Sequence, residues 1–355
     1  MTATSDVSDR NAHPPGGSFT LVGARTVAIQ FVRAAIALAP SQGLDVGRVL
    51  SGAGIPAELL GQDAARVTEP QAARLIQTLW DVTGDELLGS GPKPVPRGTF
   101  RMVTLGLIHS AELRTAVRRL IEFAGIGIGF EVTEVTDDVH TTRMLFDPNN
   151  RTHAEQIILA IGMVVGHRFA GWLIGRRIDL KSVDLPGPAP QYAAEYPLIF
   201  GIAPTFEAPG ASITFDSGYL SAPLLRSEEE LVAFIQSLPN DLLFRQDYNP
   251  STSSRVRKMI ERRSAADVVA VEDVAKPLNV SPQHLRRLLR EEGTTFRQIK
   301  DEILRDEAIA GLALGRETIE ELSGRLGFSE PSAFRRAFRR WTGSRPGSYL
   351  PAPGQ

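Results

Sequence analysis

Apolar positions recur at helical spacing along most of the chain and alternate in a few short stretches. Residues 26–39 carry a helical apolar pattern that stops at Pro40. Thr68 followed three residues later by Gln71 is a capping box, and it opens a helix running through Trp80 and Asp81. Residues 100–123 read as two short helices. Residues 131–135 and 139–146 are rich in β-formers and flank Asp137-Asp138, which predicts a hairpin. Residues 153–174 form a long, strongly apolar helix suited to the centre of a core. Residues 182–185 and 211–215 predict further strands, and Ser227 with Glu230 opens a last helix. The result is an α+β body over residues 23–238. The polar, turn-rich residues 1–22 read as a disordered tail.

Beyond the body the pattern is almost wholly helical and repeats itself. Pro239 to Asp241 and the run NPSTSS at 249–254 are turn and cap residues, so a linker is expected at 239–253. Residues 271–278 predict a short helix, Asn279-Val280-Ser281 a turn, and residues 282–292 a second helix with Ser281 as N-cap and Pro282 in the first turn. Residues 318–326, Gly327-Phe328-Ser329 and residues 330–341 repeat that order. Arg286-Arg287 and Arg335-Arg336 stand in matching frames 49 residues apart, each after an apolar anchor, Leu285 or Phe334. Leu285, Leu288, Leu289, Phe328, Phe334 and Phe338 are expected in the core.

Between the two units, residues 295–315 predict one more helix, opened by Thr295 and Gln298 and stopped by Gly315. About 20 residues at 1.5 Å each span roughly 30 Å. A turn of B-DNA is about 34 Å. One chain can therefore set its two second helices into successive major grooves on one face of DNA.

Charge supports this reading. Residues 251–350 hold 19 Lys+Arg against 14 Asp+Glu, whereas the rest of the 355-residue chain holds 20 against 27. A basic third on an acidic body suits a nucleic-acid module joined to a different domain. The chain has no cysteine, which excludes a disulfide framework, a cysteine nucleophile and cysteine-ligated zinc. The N-terminus lacks the pattern of a signal peptide. The longest apolar run has ten residues, about half of a membrane span. A cytoplasmic protein is expected.

The C-terminal pattern resembles the signature of AraC/XylS-type transcriptional regulators. The residues that carry the resemblance are Arg305, Ala308, Leu312, Thr318-Ile319, Leu322, Gly327-Phe328-Ser329, Ser332 to Arg336, Gly343, Pro346 and Tyr349. Val274-Ala275 and Leu278 to Arg287 resemble the family's first unit. The body, with Phe215-Asp216 and Tyr219-Leu220 before its last helix, looks like the arabinose-binding-like effector domain of one branch. The sequence departs from the pattern at Pro277, inside the first scaffold helix, and at Leu350, where an arginine often follows the tyrosine. The resemblance implies a double helix-turn-helix domain over residues 254–350. It implies base contacts from Gln283, Arg286, Arg287, Ser332, Arg335 and Arg336, and phosphate contacts from Arg290, Arg339 and Arg340. It also implies a small-molecule effector, a homodimer, and activation by recruiting RNA polymerase to double-stranded DNA.

Other patterns along the chain have plainer readings. Gly125, Gly127 and Gly129 lack the dinucleotide-loop spacing. No histidine pair has ligand spacing, and no cofactor or metal is expected. Trp80, Trp172, Tyr192 and Tyr196 read as core before pocket. No catalytic motif stands out, so an enzyme is not expected; enzymes fused to this module for alkyl-transfer repair need a reactive cysteine. The alternative is an architectural DNA-binding protein or a repressor without an effector.

Overall fold

Thr26 and Val27 lie in a strand, because β-branched residues there find a partner strand. The computed structural model describes residues 25–37, 43–89, 91, 93–128, 131–138, 140–146, 153–239, 251–262 and 269–351. The expected tail at 1–22 and most of the expected linker at 239–253 lie outside them. Strand β1 (Thr26–Ala28) pairs antiparallel with β2 (Arg66–Thr68), with Val27 opposite Val67. The helical pattern expected over 26–39 therefore starts only at α1 (Ile29–Ile36). Helices α2 (Val46–Gly52) and α3 (Glu69–Thr83) complete this N-terminal layer. The Thr68–Gln71 capping box forms in full at the start of α3.

Helices α4 (Thr99–Ile108) and α5 (Leu113–Phe123) follow, as the pattern over 100–123 predicts. The hairpin forms from β3 (Val132–Asp138) and β4 (Thr141–Phe146), and Asp137-Asp138, expected at its turn, still belong to β3. With β5 (Leu180–Asp184) and β6 (Ala211–Asp216) these strands make an antiparallel sheet in the order β3-β4-β6-β5. Helix α6 (His153–Leu173) buries Met163, Val164, Phe169 and Leu173 in the core that joins this sheet to α5 and to α8 (Glu228–Gln236). The short α7 (Tyr196–Phe200) adds Tyr196 and Phe200 to that core. By length and composition, residues Ala154–Leu173 would suffice to cross a membrane. Here one face of the helix is buried in the sheet core instead.

The C-terminal part holds α9 (Thr252–Glu261), α10 (Val271–Ala275), α11 (Pro282–Glu291), α12 (Phe296–Leu314), α13 (Ile319–Arg325) and α14 (Pro331–Thr342). Helix α10 ends at Ala275, three residues short of expectation. Pro277 explains this, since a proline disfavours helix in the residue before it. The Thr295 cap is also simpler than the expected box. Gln298 does meet the Thr295 hydroxyl, but it does not reach the Thr295 backbone.

Helix α12 threads two cores. Ile299 and Ile303 pack with Val256, Val274, Leu285 and Leu289 around the first unit. One turn later Ala308, Ile309 and Leu312 join Phe334 and Phe338 of the second unit. That second cluster is not confined to the C-terminal part. Ile29, Leu50, Leu59, Leu75 and Leu79 of the N-terminal layer belong to it as well. The second unit and the N-terminal layer thus share one core.

Candidate nucleic-acid interface and interior cavity

Ser281 caps α11 by accepting a hydrogen bond from the His284 amide at 3.1 Å. Leu285 and Leu289 are fully buried beneath it. Helical periodicity then turns Gln283, Arg286, Arg287 and Arg290 outward, and all four are exposed. In the second unit, Thr318 and Glu321 form a capping box at the start of α13. Gly327, at φ +81°, makes the turn, a backbone state that favours glycine. Asn279 takes the equivalent place in the first unit at φ +55°. Phe334 and Phe338 are fully buried, so Ser332, Arg335, Arg336, Arg339 and Arg340 face outward, all exposed. Of the six residues expected in the core, Leu288 and Phe328 are half-buried and the other four are buried.

The repeat extends to an ion pair that the sequence reading missed. Arg286 meets Glu272 of its scaffold helix at 3.6 Å, and Arg335 meets Glu320 of its own at 2.6 Å. The two glutamates stand 48 residues apart, in matching frames, which is the signal that was available. Arg287 pairs with Glu291 at 2.6 Å, and Ser332 donates to Glu330 at 3.1 Å. Arg290, Arg336, Arg339 and Arg340 make no ion pair among the described residues. Each reading helix therefore presents tethered and free guanidinium groups together.

Behind this face, buried charge ties the C-terminal part to the body. Arg66 donates to both carboxylate oxygens of Glu195, at 2.5 and 3.0 Å, and from Nε to the Thr26 hydroxyl at 2.6 Å. Thr26 in turn donates to Asp306 Oδ1 at 2.5 Å. Asp306 Oδ2 accepts from Arg257 at 2.6 Å, and Arg305 donates to Oδ1 at 3.0 Å. Burial would push the Asp306 carboxyl up, but Arg305, Arg257 and Arg66 outweigh it and hold the carboxyl below its usual range. The Arg66 amide also donates to the Tyr349 hydroxyl at 3.3 Å.

A cavity of about 900 Å3 lies between the N-terminal layer, α4, α6 and α8. Its walls are mostly apolar and include Phe31, Leu75, Trp80, Val103, Ile161 and Ile235, while Thr26 and Glu195 reach it from the ionic chain. Of the four aromatics singled out in the sequence, Trp80 lines the cavity. Trp172 stacks on Phe234 at 4.5 Å in the core, and Tyr192 stacks on Tyr196 at 6.0 Å. Gly125 and Gly127 lie in a π-helical turn, Ala124–Ile128, and Gly129 lies outside the described residues. His167 donates from Nε2 to the Ile178 carbonyl, 2.7 Å away, and burial holds its ring near pKa 4, so it is a neutral, structural residue.

Comparison with known proteins bears on both regions. Residues 43–224 match the family model described as the arabinose-binding domain of AraC transcription regulator, N-term, and residues 274–352 match a helix-turn-helix domain. The chain belongs to the AraC-type transcriptional regulators. It is 26% identical over 334 residues to the ornithine utilization regulator of Pseudomonas aeruginosa, covering 93% of this chain and 98% of that one. It is 45% identical over 69 residues to the HTH-type transcriptional regulator VqsM of the same species, covering 19% and 21%. The crystal structure of the transcriptional regulator CdpR from Pseudomonas aeruginosa aligns over 90% of this chain and 97% of its own at 20% identity, with a TM-score of 0.31. As an AraC-type regulator, the chain combines an N-terminal effector-binding domain with a helix-turn-helix region that binds DNA. The arginine faces lie in the second matched part; the cavity is walled by the first matched part and also by residues outside it, among them Thr26, Phe31 and Ile235.

Proposed function

We propose that each protomer reads two successive major grooves, with α11 and α14 as the reading helices. The observation that carries this is the pair of exposed arginine faces fixed to one helix. Helix α12 has 19 residues, so it spans roughly 28 Å, close to one DNA turn. Gln283, Arg286, Arg287, Ser332, Arg335 and Arg336 reach base edges, where arginine pairs with guanine O6 and N7. Arg290, Arg339 and Arg340, toward the far ends of the helices, hold phosphates and set the register. The two helices differ in sequence, so each half-site is asymmetric.

The division at residues 239–253 separates an effector part, 23–238, from a DNA-binding part, 254–350. We further assign a homodimer, a cytoplasmic site of action, activation through RNA polymerase and no enzymatic reaction. The family role supports these readings. Hydroxyl-radical footprinting of the full chain on its operator tests the groove model. Two protected windows per protomer about 10 bp apart are expected. A single window, unchanged when Arg335 and Arg336 are both replaced by alanine, would leave only α11 as a reader.

A further inference from the structure

From Ile157 to Gly166 helix α6 is apolar around its whole circumference, a pattern expected of a helix buried on all sides. Only one side meets the sheet core. Toward the cavity, Ile158, Ile161, Gly162 and Val165 recur at i, i+3, i+4 and i+7 and form a single stripe along its wall, Val165 also touching the sheet core. Arg168 continues that stripe; it is buried and donates to the Ile199 carbonyl at 2.9 Å. Gly162 sits mid-helix, where glycine is unfavourable relative to alanine. A Cβ built there would meet nothing within 4 Å. Protein packing therefore does not call for a glycine; its effect is to widen the cavity. The volume of about 900 Å3 is within the range of small-molecule sites.

We propose that this cavity is the effector site, that it takes an elongated, mainly apolar molecule with one polar end, and that the Glu195–Arg66–Thr26–Asp306 chain passes its occupancy to the DNA-binding part. The proposal rests on the effector-binding reading of the N-terminal domain and adds the place, the ligand chemistry and the route. The apolar stripe and Trp80 face the body of the ligand. Arg168 and Glu195 supply polar groups at the wall for its head. Glu195 is the link outward: it lines the cavity and holds Arg66. Arg66 and Asp306 share the Thr26 hydroxyl, which accepts from one and donates to the other. Asp306 lies on α12, the helix that carries both reading units, and also fixes Arg257 of α9. A ligand that shifts Glu195 thus disturbs a buried charge chain in which no member moves without unpairing the next.

The test uses the full chain and the neutral apolar dye Nile red. Wild type is expected to bind the dye saturably, with 1-decanol, decanoate and decylamine below their micelle-forming concentrations as competitors that report which head group is preferred. Gly162→Leu and Val165→Trp fill the stripe from two positions and should each weaken dye binding at least tenfold. Gly162→Leu should keep a thermal midpoint at or above that of wild type. Dye binding unchanged in both variants, or absent from wild type, overturns the site. If that happens while the protein still binds its operator, the regulator reading stands and only the cavity assignment falls. For the route, the best competitor should change wild-type operator affinity at least threefold. Asp306→Asn and Arg66→Gln should keep dye binding and lose that change. A ligand effect that persists in both variants overturns the route.

Discussion

Thr26 donates its hydroxyl hydrogen to Asp306 at 2.5 Å, joining the first strand of the body to the middle of the helix that links the two DNA-reading units. The two residues are 280 positions apart. Asp306 is 3% exposed and sits among three guanidinium groups, those of Arg66, Arg257 and Arg305. A buried pair of this kind adds little net stability over an apolar core, yet removing one partner is costly because the other is left unpaired. The contact therefore acts on geometry. It holds the second unit against the N-terminal layer in one arrangement, and the shared core around Phe334 and Leu50 reinforces it.

The two units should differ in how much they need the body. Among the described residues, the first has a core drawn wholly from residues between Val256 and Ile303. The second lacks Ile29, Leu50, Leu59 and Leu75 once the body is removed. In a fragment of residues 251–355, amides of Phe334 to Phe338 should exchange with solvent much faster than in the full chain, while those of Leu285 to Leu289 change little. Equal protection of α14 in fragment and full chain, measured by hydrogen exchange, would show a self-sufficient second unit.

Substitutions on the reading helices should separate base contacts from phosphate contacts. Arg287→Ala or Arg336→Ala is expected to cost about 1–3 kcal/mol on the operator and relax its sequence preference. Arg290→Ala or Arg339→Ala should weaken all sequences alike and reduce the salt slope by about one. Binding to the operator and to a scrambled duplex across a salt series checks this. Uniform losses from all four would reject the assignment of base-facing residues.

The repeated units were legible in the sequence because short-range signals fix them. Ser281 with Pro282, the Thr318–Glu321 box, and Leu285 and Phe334 at helical spacing all act within a few residues. The strand at Thr26 to Ala28 was not legible, since its partner lies 40 residues on and α1 follows it directly. The shared core was hidden for the same reason: Leu50 and Phe338 have ordinary core patterns, and neither names the other as a neighbour. One trace was present. Asp306 and Glu307 sit on the apolar face between Ile303 and Ala310, where acidic residues need buried partners. Likewise a helix as evenly apolar as α6 signals burial on two sides, but not that one of them is a cavity.

The scaffold glutamates should restrain nonspecific binding. Glu320 holds Arg335 at 2.6 Å, and both are well exposed, so Glu320→Gln should change stability by no more than about 1 kcal/mol. The substitution frees one guanidinium and removes one negative charge facing the phosphates. Tighter binding to a random duplex is expected, with a salt slope steeper by up to about one. Fluorescence anisotropy against salt concentration measures both, and an unchanged slope would show that the tether does not compete with DNA.

Glu307 should make the fold less stable as pH rises. It is 2% exposed, its Oε2 accepts no hydrogen bond, and Arg325 approaches only to 3.7 Å. Burial pushes its carboxyl up to about 7; Arg325 opposes this, while Glu261 and Asp306 add to it. Below the ordinary value of 4.5 both the folded and unfolded chains hold the proton, so Glu307 makes no difference there. Between 4.5 and about 7 the folded chain holds more of it, and folding stability therefore falls with rising pH. Above that window the full penalty remains. Glu307→Gln keeps the shape and removes the charge. It should stabilise the protein by about 1–2 kcal/mol at pH 8, part of the gain being offset by the loss of Arg325's partner, and by close to nothing at pH 4.5. Glu69, pushed up to about 7 by its own burial, is present in both proteins and cancels from the comparison. Urea denaturation of the two proteins at both pH values measures the difference, and a gap that does not change with pH would mean that Glu307 stays ionised in the folded chain.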